Sequence, residues 1–180
     1  LGLVGLGRIA QAVVPRARAM GLHVVASTPS GNDHRTDCPM LSIEDLLRSS
    51  DVVSLHCPLS NTTQHLINPM TIDWMPVHAI LINTSRGGLI DHHAVWQALE
   101  NNRLGGLAID VFDPEPPELD QPLFAHQKVI ATPHAAFLSR ESVKELRTRT
   151  AQQIADVLDG RLPEYVVNPE VCGHLADNNR

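Results

Sequence analysis

Residues 1–10 read Leu1-Gly2-Leu3-Val4-Gly5-Leu6-Gly7-Arg8-Ile9-Ala10. They open as a short apolar run of the kind buried in a parallel sheet and pass directly into the spacing GxGxxA. Between a strand and a helix, that spacing has a mechanical reading. Gly5 permits a tight turn, Gly7 lets the backbone approach a pyrophosphate, and Ala10 lets helix and sheet pack closely. The first N–H groups of the helix then face the anion. Because Leu1 already lies in the strand, a further segment is expected to precede it in the natural chain.

Outward from this turn, short apolar runs alternate with longer amphipathic ones. That alternation predicts an α/β fold, a doubly wound parallel sheet of Rossmann type with about six strands and helices on both faces. Strands are expected at residues 1–5, 22–26, 52–56, 79–83, 107–111 and 129–131, and helices at 8–20, 42–48, 69–75, 92–101 and 140–158, with a short turn at 119–125. Asn68-Pro69 reads as an N-cap followed by proline at the first helical position. Pro15 falls inside the first helix, where a bend is expected. Val143, Leu146, Thr150, Ile154 and Val157 give the last helix one mainly apolar stripe, and Gly160 is placed to stop it. Residues 1–160 are read as one dinucleotide-binding domain and 161–180 as a return toward a second, substrate-binding domain.

Composition narrows the function. The net charge of -6 is spread over 180 residues with both signs mixed, so no basic face is offered to nucleic acid. Cys38, Cys57 and Cys172 have neither CxxC spacing nor even pairing, which fits a reducing, cytoplasmic setting and argues against a zinc site or disulfide framework. No apolar run approaches the roughly 18 residues of a membrane span. A soluble chain with no membrane and no metal is expected, the nine histidines other than His134, including the His92-His93 pair, reading as surface or cap residues.

Three segments following strand ends carry the chemistry: residues 83–91 with Arg86, residues 108–116 with Asp110 and Glu115, and residues 131–134 ending at His134. Ligands of open parallel sheets lie outside the carboxyl ends of the strands, so these side chains are expected to converge on one crevice. A forked guanidinium at Arg86 suits the carboxylate and carbonyl of a 2-keto acid. A histidine at 134 suits proton transfer to the developing alkoxide. Glu115 would orient that imidazole and favour its charged form, and Asp110 would accept from a nicotinamide carboxamide. The acidic residue expected about 20 residues past the glycine turn to grip an adenosine ribose is missing. Thr28 stands there, and Arg35 reads first as a solvated loop charge and second as a partner for a 2′-phosphate, so the cofactor is NAD or NADP with the choice open.

With these segments in place, the chain resembles the D-isomer-specific 2-hydroxyacid dehydrogenases, a family that includes glycerate, phosphoglycerate and D-lactate dehydrogenases and hydroxypyruvate reductases. The likeness runs through the Gly5 turn, residues 50–59 (Ser50 to Leu59), 83–91, 110–116 and 132–134. It implies that Arg86, Glu115 and His134 are the catalytic trio, with His134 the proton donor. It further implies that Gly5, Gly7, Arg8 and Ile9 meet the pyrophosphate and that Thr28 occupies the ribose-selecting position. Pro58, Thr63, Thr84, Arg86, Asp110 and His134 would complete the dinucleotide site. A small 2-keto or 2-hydroxy acid is the implied substrate, and a homodimer the expected assembly. Departures are Thr28 for the usual Asp, Pro76 where Lys is common, and Ala135-Ala136-Phe137 after His134. Two other readings stay open: a non-enzymatic, dinucleotide-sensing module like the corepressors of this fold, and a phosphite-type dehydrogenase. Family members are larger, so this polypeptide without its substrate domain is expected to bind dinucleotide but turn over 2-keto acids poorly.

Overall fold

A computed structural model describes residues 1–171, so Cys172 and the end of the expected return lie outside the described residues. Residues Leu1–Ala136 form one compact unit and the chain from Phe137 onward a second.

The first unit is a single sheet of six strands: β1 (Gly2–Val4), β2 (Val25–Ser27), β3 (Val52–Leu55), β4 (Ile80–Asn83), β5 (Gly106–Ile109) and β6 (Val129–Ala131). Every pairing is parallel and the spatial order is β2-β1-β3-β4-β5-β6. The order reverses between β1 and β3, which is where open α/β sheets leave a crevice at their carboxyl edge. The register brings the key ends level there, with Val4 opposite Ser27 on one side and Leu55 on the other.

Strand alternation divides the sheet into two faces. On one, α1 (Arg8–Ala19) lays Ala10, Val14 and Ala17 against Leu3, Val24 and Ala26. On the other, α2 (Ile43–Ser49), α3 (Pro69–Ile72), α4 (His92–Glu100) and α5 (Pro122–Ala125) pack Leu46, Ile72, Val95 and Leu123 over Val53, Leu55, Leu81, Leu107 and Ile109. Each such aliphatic side chain contributes roughly 1.5–3 kcal/mol of burial. The α1 face is covered unevenly. Ile82 and Ala108 are only partly buried, and Ile80 and Ile130 are exposed.

Local chemistry sets the helix boundaries. Ser42 caps α2 by accepting from the Asp45 N–H, and Asp91 caps α4 by accepting from the Ala94 N–H. Asn68 caps α3 in a reciprocal box with Thr71, with Pro69 at the first position as the sequence predicts. The segment expected to continue to residue 75 stops being helical at Ile72. At Pro15, α1 runs on unbroken, and the Ala12 carbonyl in the preceding turn accepts from the Arg16 guanidinium.

The second unit contains α6 (Arg140–Leu158), with the predicted bounds. Ser139 and Ser142 cap it reciprocally, and Gly160 follows it at φ 71°. No residue of α6 is buried, and Leu146, Ile154 and Val157 of the predicted stripe are exposed.

Candidate functional site

All the predicted site residues lie in the first unit. At the end of β1, Gly5 has φ +93°, and a Cβ there would stand 2.7 Å from the backbone carbon of His56 and nitrogen of Cys57. Only glycine allows β1 to turn this close to the end of β3. Gly7 precedes α1 in an extended conformation and makes no side-chain cap, so the first N–H groups of a twelve-residue helix are left without a capping side chain. A Cβ on Gly7 would meet nothing within 4 Å. The turn is therefore tight behind Gly5 and open in front of Gly7, which is the shape a pyrophosphate needs.

Two recesses flank it. One of about 220 Å³ is lined by Gly7, Arg8, Ile9, His56, Thr84 and Ser85. The other, of about 560 Å³, is walled by Gly5, Thr28, Pro29, Ile43, Cys57 and Thr63, among others. Thr63 holds its own loop in place by donating to the Pro58 carbonyl at 2.7 Å; Pro58 itself lines neither recess. The open turn and its flanking recesses fit an elongated dinucleotide, and Gly5, Gly7, Arg8, Ile9, Thr28, Thr63 and Thr84 are the predicted residues they bring together.

Arg86 stands on the turn after β4. Asn83 is completely buried beneath it; its side chain donates to the Arg86 carbonyl at 2.8 Å and accepts from the Ser85 N–H at 3.0 Å. The Ser85 hydroxyl reaches the Leu55 carbonyl of β3 at 2.8 Å, tying the turn to the neighbouring strand. Next, Gly87 passes so near β5's following loop that a Cβ would lie 2.0 Å from the Phe112 carbonyl. The Arg86 guanidinium donates to the Ser85 carbonyl, and its charge is the smallest of the influences that lower the Glu115 pKa.

Glu115 and His134 meet directly. Glu115 Oε1 accepts the Phe112 N–H at 2.8 Å, and Oε2 lies 2.9 Å from His134 Nδ1. A carboxylate only accepts, so Nδ1 carries the proton of this bond. The Phe112 N–H first, then His134 and Arg86, hold the Glu115 carboxyl below its ordinary range.

His134 itself has φ 50°. A non-glycine residue in this region costs on the order of 1–3 kcal/mol and persists only where its surroundings hold it. Asp110 fixes it: the nearly fully buried carboxylate accepts from the Thr132 hydroxyl and the Ala135 N–H on one oxygen and the Ala136 N–H on the other. Burial is the largest single influence on Asp110 and pushes its pKa up, yet the three hydrogen bonds together hold it below its ordinary value. Asp110 is thus committed to the loop that presents His134.

Three features were not read from the sequence. Asn83 and Gly87 are visible only as polar and small residues in the turn after β4, though the Gly87-Gly88 pair after Arg86 signals close backbone approach. His56 lines the smaller recess with its Nε2 2.9 Å from the Ser54 hydroxyl, and burial lowers its pKa. This corrects the reading of His56 as a surface or cap residue; its place at the end of β3 was the available signal. Among the described residues no helix is long and apolar enough to cross a membrane, and no group of three or more His, Cys, Asp or Glu could hold a metal ion.

A parallel sheet in this order with this turn defines a dinucleotide-binding domain. The chain belongs to the D-isomer specific 2-hydroxyacid dehydrogenase family, residues 1–136 matching the model of its NAD binding domain. It is 40% identical over 172 residues to a D-3-phosphoglycerate dehydrogenase of Methanocaldococcus jannaschii, covering 93% of this chain and 33% of that protein. It is 35% identical over 174 residues to a glyoxylate reductase of Aeropyrum pernix, covering 95% and 52%. A D-lactate dehydrogenase with NAD+ from Lactobacillus jensenii superposes with a TM-score of 0.84 at 28% identity, covering 92% of this chain and 54% of that one. The chain therefore spans between a third and about half the length of these relatives.

Proposed function

We propose that Arg86, Glu115 and His134 form the reactive centre of an oxidoreductase that interconverts a small 2-keto acid and its 2-hydroxy acid. The observation that carries this reading is the 2.9 Å contact of His134 Nδ1 with Glu115 beside Arg86, at the same sheet edge as the glycine turn. Nδ1 faces the carboxylate, and Nε2 is the ring atom assigned to give a proton to a developing alkoxide. Arg86 holds the substrate carboxylate in a forked contact and polarises the adjacent carbonyl. Glu115 keeps the imidazole oriented through its contact with Nδ1. NAD or NADP supplies or takes up the hydride when bound. Gly5, Gly7, Arg8 and Ile9 hold its pyrophosphate, Thr28 faces its adenosine ribose, and Pro58, Thr63, Thr84 and Asp110 support the rest of the site.

The relatives named as phosphoglycerate dehydrogenase, glyoxylate reductase and D-lactate dehydrogenase support a substrate with a carboxylate beside the reacting carbon. The same reading takes residues 161–180 as the start of a return to a substrate domain, a homodimer as the assembly and the cytoplasm as the location. The free thiols Cys38 and Cys57 support that last point.

Assay of the intact protein with hydroxypyruvate, glyoxylate, pyruvate and phosphite, with each cofactor, tests the assignment. Turnover of a 2-keto acid that falls about 10²- to 10⁴-fold in His134→Gln is expected. Oxidation of phosphite alone, or dinucleotide binding with no turnover of any of the four, contradicts it.

A further inference from the structure

We propose that Phe124 is a positioning residue for the reactive centre, its ring holding Phe112 so that the Phe112 N–H fixes Glu115 against His134. This rests on the reading of Arg86, Glu115 and His134 as that centre.

Glu115 has little packing of its own. Asp113, Pro114, Glu115 and Pro116 are all exposed, and Phe112 is the partly buried residue from which this stretch sets out. The carboxylate keeps its place through two contacts, the Phe112 N–H at 2.8 Å on Oε1 and His134 Nδ1 at 2.9 Å on Oε2. An exposed side chain held in this way is only as well placed as the groups that bind it. His134 is secured by Asp110 and its three hydrogen bonds. The Phe112 N–H needs an anchor of its own.

Phe124 supplies it. The rings of Phe112 and Phe124 meet edge to face, with centroids 5.4 Å apart and planes at 64°, an arrangement the aromatic quadrupole favours. Phe124 stands in α5 beside Leu123, which is buried in the core, so the ring is fastened to the sheet through its chain neighbour. Gly87 meanwhile confines the Phe112 carbonyl by close backbone approach. Phe112 is thus held by its ring and by its carbonyl, and its N–H is presented to Glu115. Phe124 acts at one remove from the reacting atoms, through Phe112.

Carbon-detected NMR titration of the Glu115 and Asp110 carboxyl groups in the 180-residue chain, for the wild type, Phe124→Ala and Phe124→Tyr, tests this. In the wild type Glu115 titrates below its ordinary range, with the Phe112 N–H as the largest cause. Phe124→Ala is expected to raise the Glu115 midpoint by about 0.5 pH or more, and to leave Asp110, which has donors of its own, within about 0.2. Phe124→Tyr keeps the ring and is expected to restore the wild-type midpoint. If Phe124→Ala does not fold, Phe124→Leu takes its place with the same expectation. In the intact enzyme, removal of the ring should lower kcat about tenfold with KM changed by less than about threefold, and Phe124→Tyr should recover it. An unmoved Glu115 midpoint in the folded variant overturns the assignment. An equal rise at Asp110, the mark of general loosening, overturns it too, as does a tyrosine that fails to restore Glu115. A wild type that turns over no 2-keto acid while Glu115 responds as expected strikes instead at the reading of the centre.

Discussion

The two ends of the crevice are built from different materials. At the β1 end the functional surface is backbone: a glycine that admits the close turn, an open space before Gly7, and the uncapped start of α1. At the β4–β6 end it is side chain, with Arg86, Glu115 and His134 held by a buried Asn83, a crowded Gly87 and the fully engaged carboxylate of Asp110. The first end accepts side-chain change wherever no Cβ or charge intrudes. The second fails if one buried hydrogen-bond partner is lost, because an unsatisfied buried group costs about 1–3 kcal/mol.

The contrast gives an ordered series of ways to break it. The largest effect is expected at Gly87. Gly87→Ala forces a Cβ into the Phe112 carbonyl, and urea denaturation should report a loss of roughly 3 kcal/mol or more. Asp110→Asn comes next, at about 2 kcal/mol, because an amide cannot accept all three bonds at charged strength. The same variant should lower turnover of the intact enzyme more than it lowers dinucleotide affinity, since the loop it supports presents His134. Equal losses in both would place Asp110 at the cofactor instead. Arg8→Ala, at the backbone-built end, should cost dinucleotide affinity by a smaller factor, about tenfold, with stability unchanged.

The smallest effect concerns pH. Burial holds the folded pKa of His56 and of His92 below the ordinary 6.5. Their neutral forms therefore favour the folded state above pH 6.5, and that contribution is lost as pH falls below 6.5 through the lowered folded values. The melting temperature should drop over this window, and His56→Gln should flatten the drop. A profile unchanged by His56→Gln would show that this imidazole is not what titrates.

How far the sequence reveals each end follows from the same contrast. The glycine turn was legible because its residues act through chain geometry that a spacing encodes: Gly5, Gly7 and Ala10 have one mechanical reading between a strand and a helix. Arg86, Glu115 and His134 were legible as residue types at strand ends, and the Glu115–His134 contact forms as expected. The three loop donors that Asp110 accepts were not legible, because a carboxylate after a strand looks the same with or without them. Periodicity has a similar limit. It placed α6 from Arg140 to Leu158 and its apolar stripe, but not that Leu146, Ile154 and Val157 of that stripe are exposed. In parallel strands, continuous apolar runs likewise conceal that Ile80 and Ile130 are exposed while Leu81 and Leu107 are buried.

The central claim is that a dinucleotide lies along the carboxyl edge of this sheet, from Thr28 across the glycine turn to His134. Backbone amide NMR of the 180-residue chain, titrated with NADPH, tests it most directly. Shifts are predicted at Gly5, Gly7, Arg8, Ile9, Thr28, Cys57 and Thr84, extending to Ala135, with the far end of α1 around Arg18 unmoved. No shifts at millimolar ligand, or shifts confined to α6, would contradict it.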